Sequence, residues 1–188
     1  MRELIGREEL ERRVSELAAE IDRDYRTALE EPLICIGVLK GSVFFLTDLL
    51  KQMTVPVAVD FFQTSSYGSR GASRGEVRIR KDVDLSLRGR DVLLVEDIVD
   101  TGYTLRTILD LLRFRGARSV RLCALLDKAA AREVEVRIDY RGFVIENAFV
   151  VGYGLDHGEL YRNLPYIAVI EPAGAEDVPR PPDLASAA

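Results

Sequence analysis

The spacing of apolar residues changes several times along this chain, and each change marks an element. Over residues 8–29 (EELERRVSELAAEIDRDYRTAL), Leu10, Val14, Leu17, Ala18, Ile21, Tyr25 and Leu29 recur at three and four. That is the repeat of an amphipathic helix with one face on a core. Pro32 stops it, and residues 33–38 then form a continuous apolar run, the mark of a strand covered on both faces of a parallel sheet. A second helix fits 42–52 and a strand 55–64. Residues 65–75 (SSYGSRGASRG) hold three glycines and almost no apolar side chain, which predicts a loop. Short strands fit 76–80 and 85–87. Val92-Leu93-Leu94-Val95 is the most hydrophobic strand-type run, and 104–115 is helical with Leu105, Ile108, Leu109 and Leu112 on one face and Gly116 as its stop. Further strands fit 119–126, 134–138, 149–151 and 167–170.

Strand and helix patterns alternate at short intervals, which predicts an α/β fold around a largely parallel twisted sheet flanked by helices. The first helix and the last strands are expected to form a small hood over it, giving one domain over residues 1–172. The remainder, 173–188, is rich in proline and alanine without a period and reads as a flexible tail. With 26 basic and 31 acidic side chains the net charge is −5, which disfavours binding to polyanions such as nucleic acid. No apolar run is long enough to span a membrane and the N-terminus is charged throughout, so a cytoplasmic protein is expected. Cys35 and Cys123 each lie inside an apolar run and read as buried free thiols. The single histidine, His157, excludes any two-histidine zinc motif and reads as a solvated loop residue.

The chemistry concentrates in residues 92–104, VLLVEDIVDTGYT. A buried apolar tetrad runs straight into Glu96 and Asp97, an expensive placement unless the carboxylates reach a crevice, a metal or a polar ligand. The crevice beyond the carboxyl ends of parallel strands is where open α/β sheets bind ligands. Asp100-Thr101-Gly102-Tyr103-Thr104 then leads into a helix. Its free amides and the two threonine hydroxyls suit a phosphate monoester. The spacing of Asp97 and Asp100 does not fit the D-x-D-x-T loop of haloacid-dehalogenase phosphatases, and no G-x-x-x-x-G-K-[ST] string is present.

This segment resembles the phosphoribosyl diphosphate-binding signature of the phosphoribosyltransferases. Leu39-Lys40-Gly41-Ser42, Leu126-Asp127-Lys128, the run from Phe149 to Asp156 (FVVGYGLD) and Arg162 extend the likeness to the hypoxanthine-guanine branch, from about residue 32 to 170. The resemblance implies purine salvage: transfer of a 5-phosphoribosyl group to hypoxanthine or guanine, with release of diphosphate. It also implies a role for each matching position. Glu96 and Asp97 would hold the ribose hydroxyls, directly or through Mg²⁺, and Asp100 would accept the purine N7 proton. Thr101, Gly102, Tyr103 and Thr104 would bind the 5′-phosphate, Tyr103 through its backbone amide. Lys128 would donate to the purine O6, Phe149 would stack on the ring, and the Val150 backbone would meet the 2-position. Asp156 would ligate a second Mg²⁺, while Arg162 with Lys40 and Gly41 would bind diphosphate. Ser66-Tyr67 matches the pair in the family's active-site lid.

Two alternatives stay open: a xanthine-preferring relative, and a regulator of the same fold without catalysis. The resemblance further implies small-molecule partners, no membrane, and a homo-dimer or homo-tetramer. The Phe44-Phe45 pair supplies either an interface or core.

Overall fold

The computed structural model describes residues 1–28, 30–66 and 77–170. The chain runs β1 (Arg2–Ile5), α1 (Arg7–Tyr25), β2 (Leu33–Leu39), α2 (Val43–Gln52), β3 (Val57–Ser66), β4 (Val77–Lys81), β5 (Asp91–Val99), α3 (Tyr103–Phe114), β6 (Ser119–Asp127), a 3₁₀ turn (Ala129–Ala131), β7 (Tyr140–Val144), β8 (Val150–Val151) and β9 (Ile167–Val169). Six strands make the main sheet in the order β4-β3-β2-β5-β6-β7, and three make a small second sheet, β1-β9-β8. In the main sheet only the β3–β4 pair is antiparallel.

The unbroken apolar runs of β2, β5 and β6 have a direct cause, because helices cover both faces. Leu33, Cys35, Leu93, Val95, Cys123 and Leu125 turn to the face packed by Leu10, Val14, Leu17 and Ile21 of α1 and by Phe45 and Leu49 of α2. Ile34, Ile36, Val38, Val92, Leu94, Leu122 and Ala124 turn to the opposite face, against Leu105, Ile108, Leu109 and Leu112 of α3. Removing one such buried leucine by substitution with alanine costs about 2–5 kcal/mol. Both cysteines are free and buried, and burial pushes the Cys35 thiol up to about 12.

Several expectations change. The hood consists of β1, β8 and β9, whereas α1 lies on the main sheet. α1 closes at Tyr25 in a turn where the Ala28 N–H bonds the Tyr25 carbonyl at 3.1 Å, well before Pro32. Residues 85–87 form no strand, because the amides of Asp84 and Leu85 donate to the buried Asp60 carboxylate at 2.7 and 3.0 Å. Residues 134–138 form none either: the amides of Glu133 and Val134 both donate to the Thr101 carbonyl at 3.0 Å. The strand that completes this edge is β7, and β1 is a further strand that the pattern did not announce. Phe45 is core, whereas Phe44 is 42% exposed. Tyr67 and residues 173–188 lie outside the described residues, as does the Ser66 side chain.

Candidate functional site

β2 connects through α2 to β3 on one side of the sheet, while β5 starts on the other side of β2 and leads outward to β6 and β7. The order of strands therefore reverses between β2 and β5, and a crevice opens there beyond their carboxyl ends. The loops that enter it are Lys40-Gly41 after β2 and Asp100 to Gly102 after β5. The Leu39–Lys40 peptide is cis. Gly41 leaves room for Asp97: a Cβ there would fall on the Asp97 carboxylate, which would have to shift.

Gly102 caps α3 with φ +96°, a backbone angle that L side chains rarely adopt, and a Cβ on it would lie 2.5 Å from the Val134 carbonyl. No acid occupies the first turn of α3, so nothing on the helix competes with an anion for its amides. Glu96, Ile98, Asp100, Thr101, Gly102, Thr104 and Leu105 line a recess of about 150 Å³ at this helix end. Tyr103 turns its side chain away, its hydroxyl 3.4 Å from Glu133 Oε2, which leaves only its backbone at the recess.

The strand-end acids are poorly solvated. Glu96 Oε2 is buried and lacks a hydrogen-bond partner among the described residues. Burial, with the Asp97 charge beside it, raises the Glu96 carboxyl well above its ordinary range. Burial also pushes Asp97 up to about 6, against the backbone hydrogen bonds and the Arg162 charge that favour its ionised form. At the end of β6, the buried Lys128 brings Nζ to 4.0 Å from Asp100 Oδ2, while Asp100 itself stays half exposed. The Lys128 amide donates to the Val99 carbonyl at 3.0 Å, which fixes the two strand ends to each other.

A second, more polar recess of about 410 Å³ lies beside the first, lined by Leu39, Lys40, Gln63, Thr64, Arg80, Asp156, Glu159 and Arg162. Arg162 forms an ion pair with Asp156 Oδ1 at 2.8 Å and donates to the Gly154 carbonyl at 2.7 Å. Lys40 and Arg162 both reach Glu159 and hold its carboxyl below the usual range. Phe149 is 52% exposed and meets the His157 ring edge-on, centroids 5.2 Å apart. Val150, beside it, is buried in β8 and paired with Val169 of β9.

Residues 4–157 match the family described as the phosphoribosyl transferase domain. The hypoxanthine-guanine phosphoribosyltransferase of Bacillus subtilis is 46% identical over 90% of this chain and 93% of its own length. The chain belongs to the hypoxanthine-guanine phosphoribosyltransferase family.

A bifunctional TilS/HprT protein of Listeria monocytogenes is 50% identical over 90% of this chain, which spans only 26% of that longer relative. A solved hypoxanthine phosphoribosyl transferase of Trypanosoma cruzi, studied for the role of its C-terminal region in oligomeric state and activity, superposes with a TM-score of 0.88 at 40% identity, covering 93% of each chain.

The chain brings most of its sequence-marked residues into two groups, while Phe149, against His157, and Val150, in β8, line neither recess. Glu96, Asp100, Thr101, Gly102 and Thr104 gather at the α3 end, with Lys128 beside Asp100. Lys40, Asp156 and Arg162 gather at the polar recess, and Asp97 stands against Gly41 between the groups. Sequence reasoning missed Ile98, the apolar wall next to Asp100, and Arg80 and Glu159 in the polar recess. It also missed Arg132, whose guanidinium bonds the buried Asp127 and reaches the Val99 carbonyl at 3.4 Å beneath the loop after β5. Only Ile98 carried a usable signal, since it stands between the acid pair and Asp100.

Proposed function

We propose that this chain transfers the 5-phosphoribosyl group of phosphoribosyl diphosphate to N9 of hypoxanthine or guanine, releasing diphosphate. The observation that carries this reading is the pairing of Asp100 and Lys128. A 6-oxopurine presents N7 and O6 side by side on one edge. A half-exposed carboxylate next to a buried ammonium offers an acceptor for the N7 proton and a donor for O6.

The remaining roles are those that the family resemblance implies for these positions. The amides at the start of α3, with Thr101 and Thr104, bind the 5′-phosphate. Phe149 stacks on the base and the Val150 backbone faces its 2-position. Lys40, Gly41 and Arg162 take the diphosphate, and Ser66-Tyr67 belong to a lid that keeps water from the reacting sugar. Asp100 removes the N7 proton as N9 bonds to the anomeric carbon, general-base catalysis typically worth about 10²- to 10⁴-fold.

The donor set suits Mg²⁺. Glu96, Asp97 and Asp156 offer hard oxygens, one of them buried without a partner, and no group of three His, Cys, Asp or Glu side chains forms a cage among the described residues. An ion held by one or two carboxylates together with substrate oxygens is the usual Mg²⁺ arrangement. When bound, Mg²⁺ supplies charge neutralisation on the leaving diphosphate.

We also propose a cytoplasmic homo-dimer or homo-tetramer; the exposed Phe44, 6.5 Å from the Tyr153 ring, is the apolar surface that favours association. Among the described residues no helix is long and apolar enough to cross a membrane.

The test is product formation with Mg²⁺ and phosphoribosyl diphosphate, offering hypoxanthine, guanine, xanthine and adenine separately. Nucleotide from hypoxanthine or guanine and none from adenine is expected. Magnesium-dependent binding of the sugar diphosphate without nucleotide from any base would replace this reading with a regulatory one.

A further inference from the structure

The polar recess already contains an anion. Glu159 Oε2 lies 2.9 Å from Lys40 Nζ and 3.2 Å from Arg162 Nη2, so one carboxylate oxygen bridges two cations on loops far apart in the chain. Its placement is held from the backbone. Glu159 has φ +67°, and its amide donates to Asp156 Oδ2 at 2.9 Å. Arg162 also has contacts that do not involve Glu159, a hydrogen bond to the Gly154 carbonyl and an ion pair with Asp156 Oδ1. The charged side chains that line the recess are Lys40, Arg80 and Arg162 against Asp156 and Glu159.

We propose that Glu159 is an internal counter-ion that competes with diphosphate for Lys40 and Arg162, and so sets how tightly diphosphate-bearing ligands bind and how readily diphosphate leaves. This rests on the reading of the recess as the diphosphate site. Two features make the carboxylate displaceable. The Lys40 and Glu159 side chains are each more than half exposed, and exposed ion pairs contribute little individually. The recess that Glu159 lines has a volume of about 410 Å³, and Asp156 pairs with Arg162 independently of Glu159. A ligand that binds only the open arrangement loses apparent affinity in proportion to the fraction of molecules in which Glu159 holds the cations. The same carboxylate, returning, helps expel the product diphosphate.

The test uses inorganic diphosphate with Mg²⁺, by calorimetry and as a product inhibitor of nucleotide synthesis, on the wild type, Glu159→Gln and Glu159→Ala. Both variants should bind diphosphate about two- to fivefold more tightly. KM for phosphoribosyl diphosphate should fall in parallel, and the gain should shrink at high salt. Gln keeps the side-chain shape, so the comparison stands even where Ala disturbs the turn. Unchanged or weaker diphosphate binding by Glu159→Gln overturns the counter-ion role and leaves the functional reading intact. Absence of diphosphate binding by the wild type, together with absence of nucleotide, overturns both.

Discussion

The charged groups of Lys128 and Asp100 stand 4.0 Å apart at the ends of two neighbouring parallel strands, one buried and the other half exposed. Because Val99 pairs with Asp127 in the β5–β6 ladder, each residue is the first to leave its strand, and the sheet register sets their separation. Under the proposed function, this donor and acceptor would serve O6 and N7 on one purine edge.

Replacing Asp100 by Asn keeps the shape of this pair and removes the proton acceptor. The rate of nucleotide formation should fall by about 10²- to 10⁴-fold, while calorimetry finds phosphoribosyl diphosphate binding largely retained. Near-normal turnover would remove Asp100 from the role of base.

For Lys128→Ala, the loss should fall on the base and not on the sugar. A hydrogen bond to a charged group is worth about 1.5–3 kcal/mol, so KM for hypoxanthine should rise about 10- to 100-fold with KM for phosphoribosyl diphosphate little altered. An equal rise in both constants would indicate general damage to the end of β6.

Gly41→Ala places a methyl group on the Asp97 carboxylate. Steady-state kinetics should show KM for phosphoribosyl diphosphate raised by more than about tenfold, since overpacking costs about 1–3 kcal/mol and here displaces a site residue. A wild-type KM would mean that Asp97 moves aside at no cost.

Acid stability tests a pair away from the site. The Arg118 guanidinium, with Ser119, holds the buried Asp91 carboxyl below its usual range. A depressed carboxyl adds stability that is present above the unfolded value near 4 and is lost as pH falls through the lower folded value. Asp91→Asn should therefore lower stability at pH 7 by about 1–2 kcal/mol. The gap from the wild type in melting temperature should narrow below about pH 4. A gap independent of pH would show that the charge contributes nothing.

Local patterns in the chain announced much of this molecule, and the exceptions share a cause. The period of α1 and the apolar runs of β2, β5 and β6 were legible because burial acts on consecutive residues. The acids after Val95 stood out for the same reason, as charges at the end of a buried strand. β1 was hidden because Arg2 and Glu3 are exposed and its pairing partner, β9, lies at the far end of the described chain. β7 was hidden by Arg141 and by Gly142, where a Cβ would strike the Leu125 carbonyl. Residues 85–87 and 134–138 look like strands by composition, yet their neighbourhood satisfies backbone donors with Asp60 and Thr101 instead. Arg80 and Glu159 belong to the polar recess only through tertiary proximity, which no local spacing encodes.

The hood also dictates an order of events during synthesis. Among the described residues β1 pairs with β9 alone, whose residues are made more than 160 positions later, as in the Ile5–Ile167 pair. At typical translation rates of about 5–20 residues per second, Arg2–Ile5 wait on the order of 10 to 30 s for their partner. β8, which carries Val150, waits for the same strand. The α3 end of the site can therefore assemble on the nascent chain well before β8, with Val150, gains its partner strand.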